Sequence, residues 1–366
     1  MNPKICFILG TRPEVIKMAP VIRECRRRKL NFFIIHTGQH YSYQMDKVFL
    51  EELEIPAIKY NLEVGSGSHG RQTGRMMEKI EKLLLREKPS LVLIQGDTNS
   101  VLAGALAAAK LQIKIGHIEA GLRSYDRRMP EEINRVIADH LADFLFAPTK
   151  KAQANLVKEG ISKKKIFVVG NTIVDSVLQN LKLAQERSQV LEELSLKSKK
   201  YFLLTTHRAE NVDQKQRMKG ILKGINLVAE HYQRMIIWPI HPRTEEKIDL
   251  FRFQNLIKET AYFRIISPVG FLDFLTLQAN ARLVITDSGG IQEESCILGV
   301  PCVTVRETTE RPESVRVGAN ILAGIKTEQI FSSVKQAMNR GNHWQNPFGD
   351  GQSGQRIIEL LQASLA

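Results

Sequence analysis

The chain has 366 residues, 43% of them hydrophobic and 25% charged, with a formal net charge of +13. That length exceeds what one hydrophobic core usually serves, so two domains are expected. The basic runs are short and dispersed: "RRRK" at 26–29, "KKK" at 163–165 and "KSKK" at 197–200. Each ends a helical pattern or lies in a connector, and no RNP, zinc-finger or basic-zipper pattern accompanies them, which argues against a nucleic-acid partner. No apolar run has the length of a membrane span, since "VLAGALAAAKLQIKIG" is broken by Lys110 and Lys114. The opening "MNPKICFILGTRPE" reads as a first strand rather than a signal peptide, so a cytoplasmic location and no membrane partner are expected. Cys6, Cys25, Cys296 and Cys302 form no C-x-x-C pair and no metal-ligand spacing, so reduced thiols and no metal site are expected.

In chain order, short β-branched runs alternate with longer helical patterns: "KICFILG", "FFIIHTG", "LVLIQGD", "IKIGHIEA", "DFLFAPT" and "KIFVVGN". The rhythm restarts with "YFLLTTH", "MIIWPIH", "FRIISPV", "RLVITDSGG" and "PCVTV". Strands that read as continuous apolar runs belong to parallel sheets covered by helices on both faces. Two α/β domains of the doubly wound, Rossmann-like type follow, facing across a cleft with their ligand loops at the strand carboxyl ends. The boundary is expected near residue 170. Residues 1–169 form the first domain, joined by a C-terminal helix over 354–366 that crosses back, and 170–353 form the second.

Polar residues that packing does not explain recur just after the strands. In "GTRPEVIK", Gly10 gives the turn, and Arg12 and Lys17 lie near a helix start, where they either hold phosphate or sugar oxygens or are ordinary surface charge. The loop lacks both G-x-G-x-x-G and G-x-x-x-x-G-K-S/T, which disfavours a nicotinamide site and a P-loop. In "QGDTNS", Asp97 ends a strand ahead of an Ala-rich helix, and an N-cap is the plain alternative to chemistry. "HIEAGLRSYDRRMPEEINR" holds His117, Glu119, Arg123, Glu131 and Arg135. Asp97, Glu119 and Glu131 converging from adjacent strands would form the acidic cluster that proton transfer needs.

In the second half "LTTHRAENVD" places His207 and Arg208 at a strand end, "PIHPR" places His241, and "RETTERPE" places Arg306 and Arg311. The stretch "ITDSGGIQEES" turns from a buried strand into a helix through Ser288, Gly289 and Gly290. Glycines there let an anion approach the backbone N–H groups of the helix start. With the cations around it, that anion reads as a diphosphate, and Glu294 on the following helix is placed to accept from ribose hydroxyls.

Taken in order, "GTRPE", "GDT", "HIEAGLR", "PEEINR", "THRAEN", "TDSGGIQEE" and "TTERPE" resemble the non-hydrolysing UDP-N-acetylglucosamine 2-epimerase family, from about residue 4 to about 358. The resemblance implies a glycosyltransferase-B fold, a homodimer, a UDP-sugar partner and no cofactor. It also implies reversible inversion at C2 of UDP-N-acetylglucosamine to UDP-N-acetylmannosamine, a precursor of surface polysaccharides. Carried over by motif, Arg12, His207, Ser288, Gly289, Gly290, Glu294 and Arg311 hold the UDP, with Phe274 near the base. Lys17, Asp97, Glu119 and Glu131 surround the sugar, and His207 counts with the three acids as catalytic.

The C2 proton has no neighbouring carbonyl to acidify it, so the route left is loss of UDP from C1 as C2 loses its proton, then re-addition of both to the glycal. Asp97 and Glu131 are expected as the proton-transfer pair, with Glu119 polarising or sharing a proton. Bacterial members carry a regulatory second site built partly from a Gln-His stretch. Here Gln39 and His40 remain, the residues after them differ, and Ala209 stands where many bacterial members have a second arginine. Substrate activation is therefore not expected. The alternatives are the same chemistry on another UDP-2-acetamido sugar, such as a 2,3-diacetamido uronate or an N-acetylfucosamine derivative, or a UDP-sugar glycosyltransferase.

Overall fold

The computed structural model describes residues 3–38 and 50–365. It divides into two compact units, Met1–Gln179 with Phe348–Ala366, and Asn180–Pro347. The first unit therefore runs ten residues past the expected boundary at 169, and its returning segment begins six residues before 354. The reason lies in backbone contacts: Asn171 N–H donates to the Phe348 carbonyl (2.8 Å), and Gly354 N–H donates to Asp175 Oδ1 (2.8 Å).

Among the described residues the first unit holds a seven-stranded sheet: β1 (Ile5–Leu9), β2 (Phe32–His36), β3 (Tyr60–Asn61), β4 (Leu91–Gln95), β5 (Lys114–Ile118), β6 (Phe144–Ala147) and β7 (Ile166–Val168). The pairs are parallel and the order is β3-β2-β1-β4-β5-β6-β7. β1 and β4 are buried along their whole length, as strands covered on both faces must be. The Ala-rich helix Asn99–Lys110 lies close on the sheet because its small residues permit it. A Cβ on Gly104 would stand 2.9 Å from Ile8 Cδ1. The last helix, Ser353–Leu365, packs on the helix Arg12–Arg27 through buried Ile357, Ile358 and Leu361, and Arg28 reaches Glu359 (2.9 Å).

The second unit repeats the plan with β8 (Tyr201–Thr205), β9 (Met235–Pro239), β10 (Phe263–Ile266), β11 (Leu283–Thr286), β12 (Cys302–Thr304) and β13 (Asn320–Leu322), ordered β10-β9-β8-β11-β12-β13. Its core gathers Phe202, Leu204, Ile236, Trp238, Ile285 and Val303 under the helices Lys215–Tyr232 and Thr327–Arg340. Both sheets are doubly wound. The strand order reverses between β1 and β4 and between β8 and β11, and ligands bind such sheets outside the carboxyl ends of the strands at that reversal. The strands missing from the sequence pattern are β3 and β13, of two and three residues, too short to carry a periodic signal.

No helix among the described residues is long and apolar enough to cross a membrane. Gly10, at the end of β1, sits where a Cβ would meet Thr37 Oγ1 at 2.5 Å and collide with the Ser100 hydroxyl, which is itself bonded to Thr37 (2.8 Å). A Gly10→Ala variant should lose about 1–3 kcal/mol of stability, the usual cost of over-packing, read as a lower urea midpoint with an unchanged m-value. An unchanged midpoint would mean the loop gives way freely.

Candidate functional site

The reversal point of the first sheet joins the segments after β1, β4 and β5 through charged side chains. The helix Arg12–Arg27 opens with Thr11 as N-cap and Pro13 in its first turn, and its buried Lys17 points to the end of β5. Lys17 Nζ lies 2.7 Å from both carboxylate oxygens of Glu119, the residue just past that strand. Gln95, the last residue of β4, donates its amide N–H to the same carboxylate. Glu119 has φ +69, a left-handed backbone held in place by its N–H donating to the Phe146 carbonyl (3.1 Å). Fully buried among cationic and amide donors, Glu119 is an ionised acceptor.

Asp97 lies two residues past β4, half-buried, with its carboxylate paired to Arg135 and its carbonyl accepting from Asn134 Nδ2 (2.9 Å). The N-cap of the helix Asn99–Lys110 is Thr98, which accepts from Val101 N–H, so Asp97 is released from that duty. Glu131 follows Pro130 at the start of the helix Pro130–Leu141, half-buried, and its carboxylate makes no hydrogen bond or ion pair with another described residue. The neighbouring Glu132 has the structural task. It accepts from Ser124 N–H (2.9 Å), Tyr125 N–H (3.0 Å) and Arg135 (2.6 Å), fixing the loop ahead of the helix.

Glu14, inside "GTRPE", was not singled out by sequence reasoning. Its carboxylate accepts from Gly10 N–H (2.8 Å), Thr11 N–H (2.6 Å) and Thr98 Oγ1 (2.6 Å), tying the loop after β1 to the loop after β4. Glutamate three residues after a threonine N-cap is a capping-box signal, which was legible; the bond to Thr98, 84 residues away, was not. Burial pushes this carboxyl up from 4.5 to about 7, against the pull of its donors.

In the second unit the loops after β8 and β11 meet on Asp287, which is fully buried and was also not singled out. It accepts from His207 N–H (3.0 Å) and Arg208 N–H (3.0 Å), and His207 Nδ1 lies 3.1 Å from it. Burial works to raise its pKa, and the His207 ring and these N–H groups hold it below the usual carboxylate range. His207 is left partly exposed, with its ring 6.0 Å from that of His241, the N-cap of the helix Pro242–Phe251.

Ser288 is the N-cap of the helix Gly289–Ile297. Neither glycine has a positive φ; a Cβ on Gly290 would meet no described atom within 4 Å, and one on Gly289 only Arg208 Nη2 (3.9 Å) and Glu310 Oε1 (4.0 Å). Neither backbone strain nor packing requires glycine here, so what glycine secures is access to the helix start. Around it, Glu310 holds Arg306 (2.8 Å) and Arg208 (3.6 Å), and Arg311 reaches Glu293 (2.7 Å). Burial raises the Glu310 carboxyl less than these arginines lower it, to about 2. Glu294 is buried on the same helix, and Phe274, half-buried on the helix Phe271–Asn280, packs against the buried cluster that includes Leu277 and Val284.

The structure thus brings Lys17 to Glu119 and His207 to the glycine turn's Asp287, and it leaves Asp97 and Glu131 half-buried with unequal partners. Gln39 and His40 lie outside the described residues. Ala209 begins the short helix Ala209–Val212.

Two parallel doubly wound sheets with charged loops at their reversal points define a glycosyltransferase-B-like α/β protein. Residues 23–362 match the family model described as UDP-N-acetylglucosamine 2-epimerase. The chain is 58% identical over 360 residues to the UDP-N-acetylglucosamine 2-epimerase of Methanococcus maripaludis, covering 98% of each. It is 41% identical to the UDP-2,3-diacetamido-2,3-dideoxy-D-glucuronate 2-epimerase of Pseudomonas aeruginosa, covering 98% of this chain and 99% of that one. Among solved structures, the Methanocaldococcus jannaschii UDP-GlcNAc 2-epimerase in complex with UDP-GlcNAc and UDP superposes with a TM-score of 0.92. That protein is 55% identical, with 98% of this chain and 99% of that one covered. The chain belongs to the UDP-N-acetylglucosamine 2-epimerase family.

Because the folded Glu14 keeps its proton to higher pH than an unfolded glutamate, its protonated form favours the folded state. That support is complete below about pH 4.5 and is lost as pH rises to about 7. The stability of the wild type relative to Glu14→Gln should fall by roughly 3 kcal/mol across that window, measured by urea unfolding at a series of pH values. A difference that does not change with pH would contradict a raised Glu14.

Proposed function

We propose that the chain is an isomerase that interconverts UDP-N-acetylglucosamine and UDP-N-acetylmannosamine at C2, supplying surface polysaccharide synthesis, as a cytoplasmic homodimer. One observation carries the reading: three acids, two just past β4 and β5 and one at the start of the helix that follows, stand in different electrostatic states. Glu119 is locked as an ion by Lys17 and Gln95, whereas Asp97 and Glu131 are half-buried and accessible for proton transfer. A glycosyltransferase would have no use for that arrangement.

In the proposed sequence UDP leaves C1 as C2 loses its proton, and a 2-acetamidoglucal forms. UDP then re-adds to C1 and a proton returns to the opposite face of C2. The departing diphosphate gathers negative charge, which His207, Arg12, Arg311, Ser288 and the N–H groups of Gly289 and Gly290 stabilise. Glu294 takes the ribose hydroxyls and Phe274 lies by the base. Positive charge developing at C1 is met by the Glu119 carboxylate, while Asp97 and Glu131 remove and return the C2 proton. The 58% identity to a UDP-N-acetylglucosamine enzyme against 41% to the diacetamido uronate enzyme favours the simpler sugar.

Proton NMR of the protein with UDP-N-acetylglucosamine in D2O should show UDP-N-acetylmannosamine appearing with deuterium at C2. Asp97→Asn and Glu131→Gln should each reduce kcat by about 10²–10⁴-fold, the usual contribution of a positioned acid or base, with UDP affinity within twofold of wild type. UDP binding without turnover of any UDP-2-acetamido sugar would instead indicate a sensor.

Gly290→Ala gives a separate check on the anion site. The fold should be equally stable, or gain up to about 1 kcal/mol from alanine's better helix propensity, while UDP binding by calorimetry weakens at least tenfold. Unaltered UDP affinity would remove the helix start from the diphosphate site.

A further inference from the structure

Behind the carboxylates lies a second charge network, formed by residues to which neither the motifs nor the proposed chemistry give a task. His117, on β5, is completely buried. Its Nδ1 lies 2.7 Å from Asp139 Oδ1 and its Nε2 2.8 Å from the Gly96 carbonyl oxygen. The other oxygen of Asp139 accepts from Gly121 N–H (3.1 Å) and from the Arg123 guanidinium (2.7 Å), so this carboxylate is an acceptor on both sides. A backbone carbonyl is an acceptor only. Both ring nitrogens must therefore donate, and an imidazole that donates twice is a cation.

Arg123, itself buried, pairs in turn with the partly exposed Glu159 (2.6 Å), so the two cations are matched by two carboxylates. The charged groups facing the ring are Asp139, from the helix Pro130–Leu141, and Arg123, from the loop after β5; the loop after β4 contributes the Gly96 carbonyl. Burial opposes the charge on His117, and Asp139 together with that carbonyl outweighs it, so the ring stays protonated above the ordinary histidine range.

The Gly96 carbonyl belongs to the peptide bond that joins Gly96 to Asp97, at a glycine with φ +83. Fixing that peptide plane fixes the direction in which Asp97 leaves the backbone. Resting on the reading of Asp97 as a proton carrier, we propose that His117 is a positioning residue, an imidazolium that aims Asp97 by holding the peptide bond ahead of it. Asp139 keeps the ring charged and oriented, and raising the pH far enough to neutralise the ring would slacken this restraint.

Two variants separate the two ring nitrogens. Asparagine at 117 reaches only as far as Nδ1 does and leaves Gly96 without its donor; glutamine reaches the Nε2 position and retains it. His117→Asn should lower kcat by about 10²-fold, the scale of an ångström of misplacement, with UDP affinity within twofold of wild type. His117→Gln should recover kcat to within about tenfold, with a basic limb of the pH profile that differs from wild type. Equal losses in both variants, or a more active Asn than Gln, would assign His117 to support of Asp139 alone and overturn the proposal.

The charge is read independently by ¹⁵N-histidine NMR. Two slowly exchanging ring N–H protons with imidazolium nitrogen shifts should persist at a pH above the ordinary histidine range in the wild type and vanish in either variant. A neutral ring at that pH overturns the proposal too. If the wild type turns over no UDP-sugar, the proposed reaction fails. The ring protons, and the Asp97 backbone amide shift on replacing His117, then still decide whether this residue holds that peptide.

Discussion

Two opposite charges buried together, Lys17 and Glu119, set the terms for the first unit. Removing an ion from water costs several kcal/mol, and only a partner in close, well-aligned contact offsets it. Lys17 meets both oxygens of Glu119 at 2.7 Å, and the Gln95 amide supplies a further donor. Loss of either ion would strand the other, a change of about 3–5 kcal/mol in buried pairs. The pair also binds the helix after β1 to the loop after β5 across the intervening β4, and it holds Glu119 at φ +69, a backbone state costing about 1–3 kcal/mol unless its surroundings dictate it. With that carboxylate held as an ion, the proposed proton transfer is left to Asp97 and Glu131.

The two units use the same sheet order for different ends. At the reversal point of the first, what is presented is side chains, each aimed by another residue: Asp97 by Arg135 and Asn134, Glu119 by Lys17. At the reversal point of the second, what is presented is backbone, a helix start stripped of side chains at Gly289 and Gly290. Asp287 fastens the His207–Arg208 loop beside it. A parallel sheet turned twice gives a crevice at the strand ends in either case, and the local residues decide whether it offers acids or N–H groups.

Much of this was legible in the sequence. Continuous apolar runs marked the parallel strands, and Gly, Pro and the polar residues just past them marked the loops, because burial on both faces leaves no other place for polarity. β3 and β13 were not legible, being only two and three residues long. The pairing of the acids was hidden for a different reason. "PEEINR" shows two adjacent glutamates with nothing to say that Glu132 faces inward to clamp Ser124 and Tyr125 while Glu131 stays unpaired. Asp287 stood in plain view within "TDSGG", yet its function, accepting the N–H groups of residues 80 positions away, depends on β8 lying beside β11. Such contacts are set by strand order, which local pattern does not carry.

The return of the chain to its first unit has a consequence for how the protein comes into being. The helix Ser353–Leu365 lies on Arg12–Arg27, and Asp175 caps its first turn through Gly354. A ribosome releases residues 353–365 only after every residue from 180 to 347 has emerged. Domains ordinarily complete themselves in the order in which they are made. Here the order is inverted: the second unit has all its residues before the first does. The first-made sheet must wait with the face of Arg12–Arg27 uncovered, and Ile357, Ile358 and Leu361 close it only after the second unit has been made. The helix Ser353–Leu365 therefore completes a unit begun more than three hundred residues earlier, and chains cut short before it would leave an apolar strip of Arg12–Arg27 exposed.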